Sequence, residues 1–154
     1  MNVDLISQWR ADIVGEWVEH FKGVDLLFLE PVTGRGPWTM SLRADGTATT
    51  NGGSSSDPAA EPPFPETWEL SDDRILTLAV PIPPMPEYGM PAWSRERQSY
   101  DVLALTDLSL TLSDRRFDGE TVTVWRRVNA DEHFRRKAAQ LLDFAAARNR
   151  AGSA

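Results

Sequence analysis

The chain has 154 residues, a hydrophobic fraction of 41%, a charged fraction of 25% and a formal net charge of -7. This length and composition are typical of one globular domain, so we expect residues 1–154 to form a single domain. The negative charge argues against nucleic acid or an anionic membrane as a partner, because both attract clustered positive charge.

The sequence lacks several features that would point to a particular compartment or cofactor. It contains no cysteine, which excludes disulfides and thiolate metal sites. The first residues lack the basic and apolar regions of a signal peptide, and no apolar run has the length of a transmembrane helix. We therefore expect a cytoplasmic protein.

The first predicted elements are a short helix, a strand and an apolar segment. Leu5, Ile6 and Trp9 recur at helical spacing, which predicts an amphipathic helix over residues 3–13. Gly15 ends this helix, and a strand follows from Trp17. The apolar run at residues 24–32 fits either a strand buried on both sides or an apolar turn beneath the sheet.

A β-hairpin is predicted next. Trp38, Met40 and Leu42 alternate with polar residues, which is the pattern of a half-buried strand. Asp45 and Gly46 then supply a tight turn, because glycine tolerates positive φ and aspartate can bond its own backbone. Residues 47–50 form the returning strand.

Two long loops differ in composition. Residues 51–65 are rich in glycine, serine and proline, and we expect them to be disordered. Residues 81–93 contain five prolines but also Met85, Tyr88, Met90 and Trp93. Such a stiff apolar loop should be ordered and should cover something, either the end of its own fold, a ligand or a protein partner.

Further strands are predicted over residues 67–70, 76–80, 100–106, 108–112 and 120–128. In the last of these, Arg126 is in phase with three valines, so it is predicted to face inward while Trp125 and Arg127 face outward. A C-terminal helix is predicted over residues 129–150. Its apolar stripe should pack on the barrel wall; the stripe consists of Phe134, Ala138, Leu141, Leu142 and Ala145.

About eight short strands between two helices predict a mainly β fold, an antiparallel up-and-down β-barrel. Gly15-Glu16-Trp17 after a short helix, and an arginine on the last strand, resemble the lipocalin-like branch of the calycins, in particular its bacterial domains. The resemblance covers residues 13–128. It implies that Gly15, Trp17 and Arg126 close one barrel end, with Arg127 as the alternative arginine, and that the interior can hold a small apolar molecule.

Catalytic and metal-binding patterns are absent from the sequence. It has no Ser-His-Asp order, no HExxH motif and no phosphate-binding glycine loop. We therefore expect neither enzymatic activity nor a cofactor nor a metal. His20 lies within the first strand and keeps a haem-binding barrel open as an alternative, whereas His133 is expected to be solvated.

The leading expectation is a lipocalin-like protein that binds a small apolar or amphipathic ligand. Its predicted ligand-binding residues are Trp38, Met40, Trp68, Met85, Tyr88, Met90, Trp93, Tyr100 and, for a ligand carboxylate, Arg43 or Arg126. One alternative is an acidic interaction module of the inhibitor or immunity type, whose loop at residues 81–93 contacts a protein partner or a second copy. Another is a structural domain with a filled barrel.

Overall fold

The computed structural model describes residues 3–24, 26–32, 38–51, 62–114 and 120–152. Most of the segment predicted to be disordered, residues 52–61, lies outside the described residues. Helices α1 (Val3–Asp12) and α2 (Ala130–Gly152) flank the strands. The strands are β1 (Gly15–Gly23), β2 (Leu29–Pro31), β3 (Thr39–Leu42), β4 (Thr47–Asn51), β5 (Glu66–Leu70), β6 (Ile75–Ile82), β7 (Ser94–Leu105), β8 (Ser109–Asp114) and β9 (Thr121–Val128).

The strands form a closed barrel. Each strand from β3 to β8 pairs antiparallel with the next, and β1 pairs with both β3 and β9. The short strand β2 pairs with the last residues of β1, beyond the part that β3 covers. These pairings confirm the predicted eight-stranded antiparallel barrel with a helix at each end of the chain.

The predicted hairpin of β3 and β4 is confirmed, together with its turn. Asp45 Oδ1 accepts hydrogen bonds from the backbone N–H and the hydroxyl of Thr47, at 2.9 and 2.7 Å. Gly46 has a φ of +88°, which glycine adopts without steric cost. Met40 and Leu42 are buried in the barrel core, because alternate residues of a strand share one face.

The apolar run after β1 differs from both predicted alternatives. Residues 26–28 form a turn between β1 and β2, and the side chains of Val24, Leu27 and Phe28 are exposed. Neither a strand buried on both sides nor a turn beneath the sheet is formed. Apolar composition predicts burial, but in this turn the side chains of Leu27 and Phe28 stay 85% and 68% exposed.

On the last strand, the residues that line the interior are Thr121, Thr123, Trp125 and Arg127, the alternate set to the predicted one. Val122, which was predicted to face inward, is nevertheless only 1% exposed. Trp125 packs against the core and Arg127 is only 5% exposed, whereas Arg126 is exposed. The choice of Arg126 for barrel closure is therefore wrong, and so is the outward position of Trp125. Burial of a guanidinium normally costs free energy unless it is hydrogen-bonded, and Arg127 meets that condition.

The Arg127 guanidinium closes one end of the barrel. Its Cζ lies 4.2 Å from the centre of the Trp17 ring, a cation–π contact. It donates hydrogen bonds to the carbonyls of Asp107 (2.6 Å), Val14 (2.8 Å) and Asp12. One side chain thus joins β9 to the end of α1, the start of β1 and the turn between β7 and β8.

Trp17 and α1 complete this closed end. The Trp17 side chain is fully buried, and its Nε1 donates a hydrogen bond to the Ile13 carbonyl at 2.9 Å. Arg10 of α1 donates to the Leu70 carbonyl at 2.9 Å and forms a salt bridge with Asp72 at 2.8 Å. The short helix is therefore fastened across the barrel end as a plug.

Helix α2 packs on the barrel only through its beginning. His133 is buried, contrary to the prediction that it is solvated. Phe134, Leu141 and Leu142 of the predicted packing stripe are exposed instead. Helical periodicity identifies an amphipathic face, but it does not determine whether the wall is long enough to cover that face.

We predict that Arg127→Met destabilises the protein far more than Arg126→Met does. An unsatisfied buried carbonyl costs about 1–3 kcal/mol, and Arg127 serves three carbonyls. A substitution at the exposed Arg126 should stay within about 0.5 kcal/mol. Urea denaturation of both variants measures the two free energies of unfolding. Equal losses would show that Arg127 does not hold the barrel end.

A second prediction concerns Gly15, whose φ is +148° and whose added Cβ would lie 2.5 Å from Arg127 Nη1. Gly46 also has positive φ, yet nothing lies within 4 Å of an added Cβ there. Both alanine substitutions should cost about 1–3 kcal/mol in backbone strain. Gly15→Ala should cost about 1–3 kcal/mol more, because it also displaces a packed side chain. Denaturation curves that coincide for Gly15→Ala and Gly46→Ala would contradict this.

Candidate functional site

A cavity lies in the half of the barrel opposite the closed end. Its volume is about 310 Å³, which is at the lower end of the range of about 300–1,000 Å³ for small-molecule sites. Its described lining is Glu19, Lys22, Trp38, Thr39, Met40, Thr50, Leu78, Val80, Gln98, Tyr100, Leu112, Asp114, Thr121, Thr123 and Trp125. The lining thus combines seven apolar or aromatic residues with eight polar or charged ones.

The cavity exists because small polar residues occupy inward positions of the open half. On β9, Thr121 and Thr123 line the cavity on the same face as Trp125. Threonine fills much less space than the leucine and methionine side chains that pack the core. The strand sequence therefore leaves room at one end of the barrel and fills it at the other.

A β-bulge in β1 brings Lys22 to the same cavity as Glu19. The pairing of β1 with β9 shifts by one residue between Glu19 and Phe21, which changes the face on which the following residues lie. As a result Glu19 and Lys22 both line the cavity although they are three residues apart. His20 at the bulge is exposed and is not part of the described lining.

Glu19 is the buried charge of the cavity. It is 8% exposed, and in the described part of the chain its carboxylate has no hydrogen-bond or salt-bridge partner. Burial raises the pKa of Glu19 above its ordinary value of 4.5, and the charge of Lys22 offsets part of that effect. Lys22 itself is exposed, so solvent screens its charge more strongly.

The structure brings three of the predicted ligand-binding residues together. Trp38, Met40 and Tyr100 line the cavity, and Tyr100 donates its hydroxyl proton to Gln98 at 3.1 Å. Trp68 lies nearer the closed end, where its Nε1 donates to the Arg43 carbonyl at 2.7 Å.

The two arginines expected to bind a ligand carboxylate lie outside the cavity. Arg43 is exposed and bonds the hydroxyls of Thr47 and Thr49. Arg126 is exposed on the other face of β9. The cavity therefore has no arginine among its described lining residues. Lys22 is the one basic residue among them.

The loop at residues 81–93 forms a small hairpin beside the cavity. The backbones of Met85 and Met90 bond each other at 2.6 and 3.0 Å, and Tyr88 at the tip is 76% exposed. Trp93 lies in a separate groove with residues 62–66, which shares Val80 with the cavity. Pro81 and Ile82 belong to β6, so the strand extends further into this segment than predicted.

Sequence reasoning missed Glu19, Trp125 and the inward threonines. The valines of β9 favour one face of the strand as the inward face. The opposite face carries Thr121, Thr123 and Trp125, and this face lines the cavity. Strand alternation from Trp17 places Glu19 on the same face, and this was the available signal. Lys22 reaches that face only because of the bulge that follows Glu19.

A second cluster of ionisable groups lies at the closed end. Asp12, Asp107 and His133 place candidate ligand atoms within 4.8 Å of one another. The ammonium of Lys137, however, donates to Asp107 at 2.7 Å and lies 4.0 Å from Asp12. His133 Nε2 is 3.0 Å from the same Asp107 oxygen. Lys137 thus supplies the positive charge here, and the cluster fastens α2 to the barrel.

No family model, no curated protein and no solved structure matches this chain. The geometry of the protein is that of an eight-stranded antiparallel barrel, which is consistent with a calycin-like fold. In the part of the chain that the structure describes, neither helix has the length and apolar character needed to cross a membrane.

The closed-end cluster predicts acid sensitivity that depends on Asp107. Hydrogen bonds from His133 and Lys137 lower the pKa of Asp107 below its ordinary value of 3.8. A lowered carboxyl pKa gives stability that is complete above the unfolded-state pKa and is lost as the pH falls through the folded-state pKa. Asp107→Asn should therefore be less stable than the wild type near pH 6, and this difference should shrink below about pH 4.

Urea denaturation of both proteins from about pH 6 to about pH 3 measures this difference. Asp72→Asn is the matched control, because Asp72 is exposed and bonds only Arg10 among the described residues. The free energy of unfolding of Asp72→Asn should change with pH in parallel with that of the wild type. A stability difference between Asp107→Asn and the wild type that is constant with pH would contradict the assignment.

Proposed function

We propose that this chain is a lipocalin-like binding protein that holds a small amphipathic molecule in the open half of its barrel. The observation that carries the proposal is the cavity of about 310 Å³ within the barrel. Its aromatic residues Trp38, Tyr100 and Trp125 suit an apolar ligand body, and its polar and charged lining residues suit a polar end.

The lipocalin-like assignment is supported by the closed end. Gly15, Trp17 and an arginine of the last strand meet there, and the arginine lies over the indole. This is the arrangement that the resemblance implies, with Arg127 in the place of Arg126. A barrel closed at one end and open at the other provides a single entrance for a ligand.

The hairpin at residues 85–90 is not needed as a lid. None of residues 83–93 belongs to the described lining of the cavity. Ligand access is expected instead beside Trp38, which lines the cavity while about half of its surface is exposed. An aromatic side chain in this position can cover a bound molecule.

We predict that Trp38→Ala weakens ligand binding and that Trp93→Ala does not. The probe is N-phenyl-1-naphthylamine, an uncharged dye whose fluorescence rises in an apolar site. Loss of an aromatic contact at a binding hot spot costs about 1–3 kcal/mol, which corresponds to roughly 5- to 150-fold in Kd. Trp93→Ala is the matched control, because Trp93 lies in the neighbouring groove.

Three outcomes separate the alternatives. Saturable binding that only Trp38→Ala weakens supports the proposal. Binding that only Trp93→Ala weakens would indicate that the ligand binds in the neighbouring groove instead of the cavity. No saturable binding by the wild type would reject the carrier and favour the interaction module, for which Tyr88 at the hairpin tip is the exposed aromatic residue.

A further inference from the structure

The polar end of the cavity is negatively charged. Its described ionisable lining residues are Glu19, Lys22 and Asp114, two carboxylates and one ammonium. The carboxylate of Glu19 is buried, whereas Lys22 is exposed at the edge. Charge–charge interactions are stronger for buried groups, since solvent and salt screen exposed ones. A ligand inside the cavity is therefore influenced more by Glu19 than by Lys22.

Two tryptophans flank Glu19 on the neighbouring strands. Glu19 is directly opposite Trp125 in the pairing of β1 with β9. On the other side, the Glu19 backbone N–H donates to the Trp38 carbonyl at 2.9 Å. Residues opposite each other in antiparallel strands have Cβ atoms about 4.5–5.5 Å apart. All three side chains line the cavity, so they form a row that we call the Trp–Glu–Trp row.

This row has the chemistry of an ammonium site. A cation is attracted to the faces of indole rings, and a carboxylate supplies both the opposite charge and hydrogen-bond acceptors. A carboxylate ligand would instead face the like charge of Glu19. Because Glu19 is 8% exposed and has no hydrogen-bond partner among the described residues, a cationic ligand would supply donors to a carboxylate that otherwise relies on solvent in the cavity.

We infer that the cavity selects small aromatic or aliphatic amines in their protonated form, with Glu19 as the counter-ion and Trp38 and Trp125 beside the ammonium group. This inference rests on the proposed function, because it names the class of ligand for the same cavity. Burial raises the pKa of Glu19, and the charge of Lys22 offsets only part of that effect, so a bound ammonium would stabilise the carboxylate further.

The test uses three probes that share one skeleton and differ in charge. These are 3-phenylpropylamine, 3-phenylpropan-1-ol and 3-phenylpropionate, titrated calorimetrically near pH 7. A charge-assisted hydrogen bond is expected to make the amine roughly 10- to 100-fold tighter than the alcohol. The carboxylate should bind most weakly.

Glu19→Gln keeps the shape of the side chain and removes its charge. It should abolish the preference for the amine, so that the ratio of the amine and alcohol Kd values approaches one. The matched control is Glu16→Gln on the same strand, which changes the net charge equally but lies at the closed end, away from the cavity. The control should keep the wild-type preference, since a general attraction of cations to an acidic protein would fall equally in both variants.

Lys22→Gln is a second test variant, and it changes an exposed residue rather than a buried one. Lys22 is exposed, so the substitution should not affect folding, and removal of its positive charge should strengthen amine binding. This outcome is informative even if Glu19→Gln fails to fold.

The results distinguish the inference from the function on which it rests. If the wild type binds none of the three probes, the proposed function fails. If it binds the alcohol and the carboxylate as tightly as the amine, the cavity is a binding site and the amine preference is rejected. An amine preference that survives Glu19→Gln would reject Glu19 as the counter-ion.

Discussion

The contact of the Arg127 guanidinium with the Trp17 ring and three backbone carbonyls is the interaction on which the barrel depends. A barrel has no free edge, but its two ends still have to be filled or closed. Arg127 closes one end by satisfying carbonyls from three separate segments of the chain. Because the guanidinium has five donors in a fixed plane, a lysine at this position could not make the same set of bonds while lying flat on the indole ring.

Several sequence features follow from this buried cation. Gly15 is required where the guanidinium passes closest to β1, since a Cβ there would lie 2.5 Å from Arg127 Nη1. Burial lowers the pKa of Arg127 to about 10, which still leaves the side chain charged at neutral pH. The nearby Asp107 accepts hydrogen bonds from His133 and Lys137. The closed end is thus a polar network that also fixes the start of α2.

The buried charged groups at the two ends of the barrel differ in their hydrogen-bond partners. At the closed end, Arg127 is surrounded by acceptors, so its burial is compensated. In the open half, Glu19 is buried without a described partner, and burial raises its pKa. Natural sequences tend to break local rules at functional sites and to compensate elsewhere in the fold. The contrast between an arginine with three hydrogen-bonded carbonyls and a largely buried glutamate with no described hydrogen bond agrees with the proposal that the open half is the ligand site.

The sequence by itself determined the class of fold, because strand alternation and tight-turn chemistry act over a few residues. The hairpin around Asp45-Gly46 and the succession of strands could be predicted for this reason. The inward face of β9 was decided only by the tertiary structure, since either face of a strand with period two can be buried when an arginine finds acceptors. The bulge beside Glu19 arises from pairing between distant strands. The candidate site depends on both. Trp38, Tyr100 and the phase of Glu19 with Trp17 follow from local alternation, whereas Trp125 and Lys22 reach the cavity only through the pairing of β1 with β9.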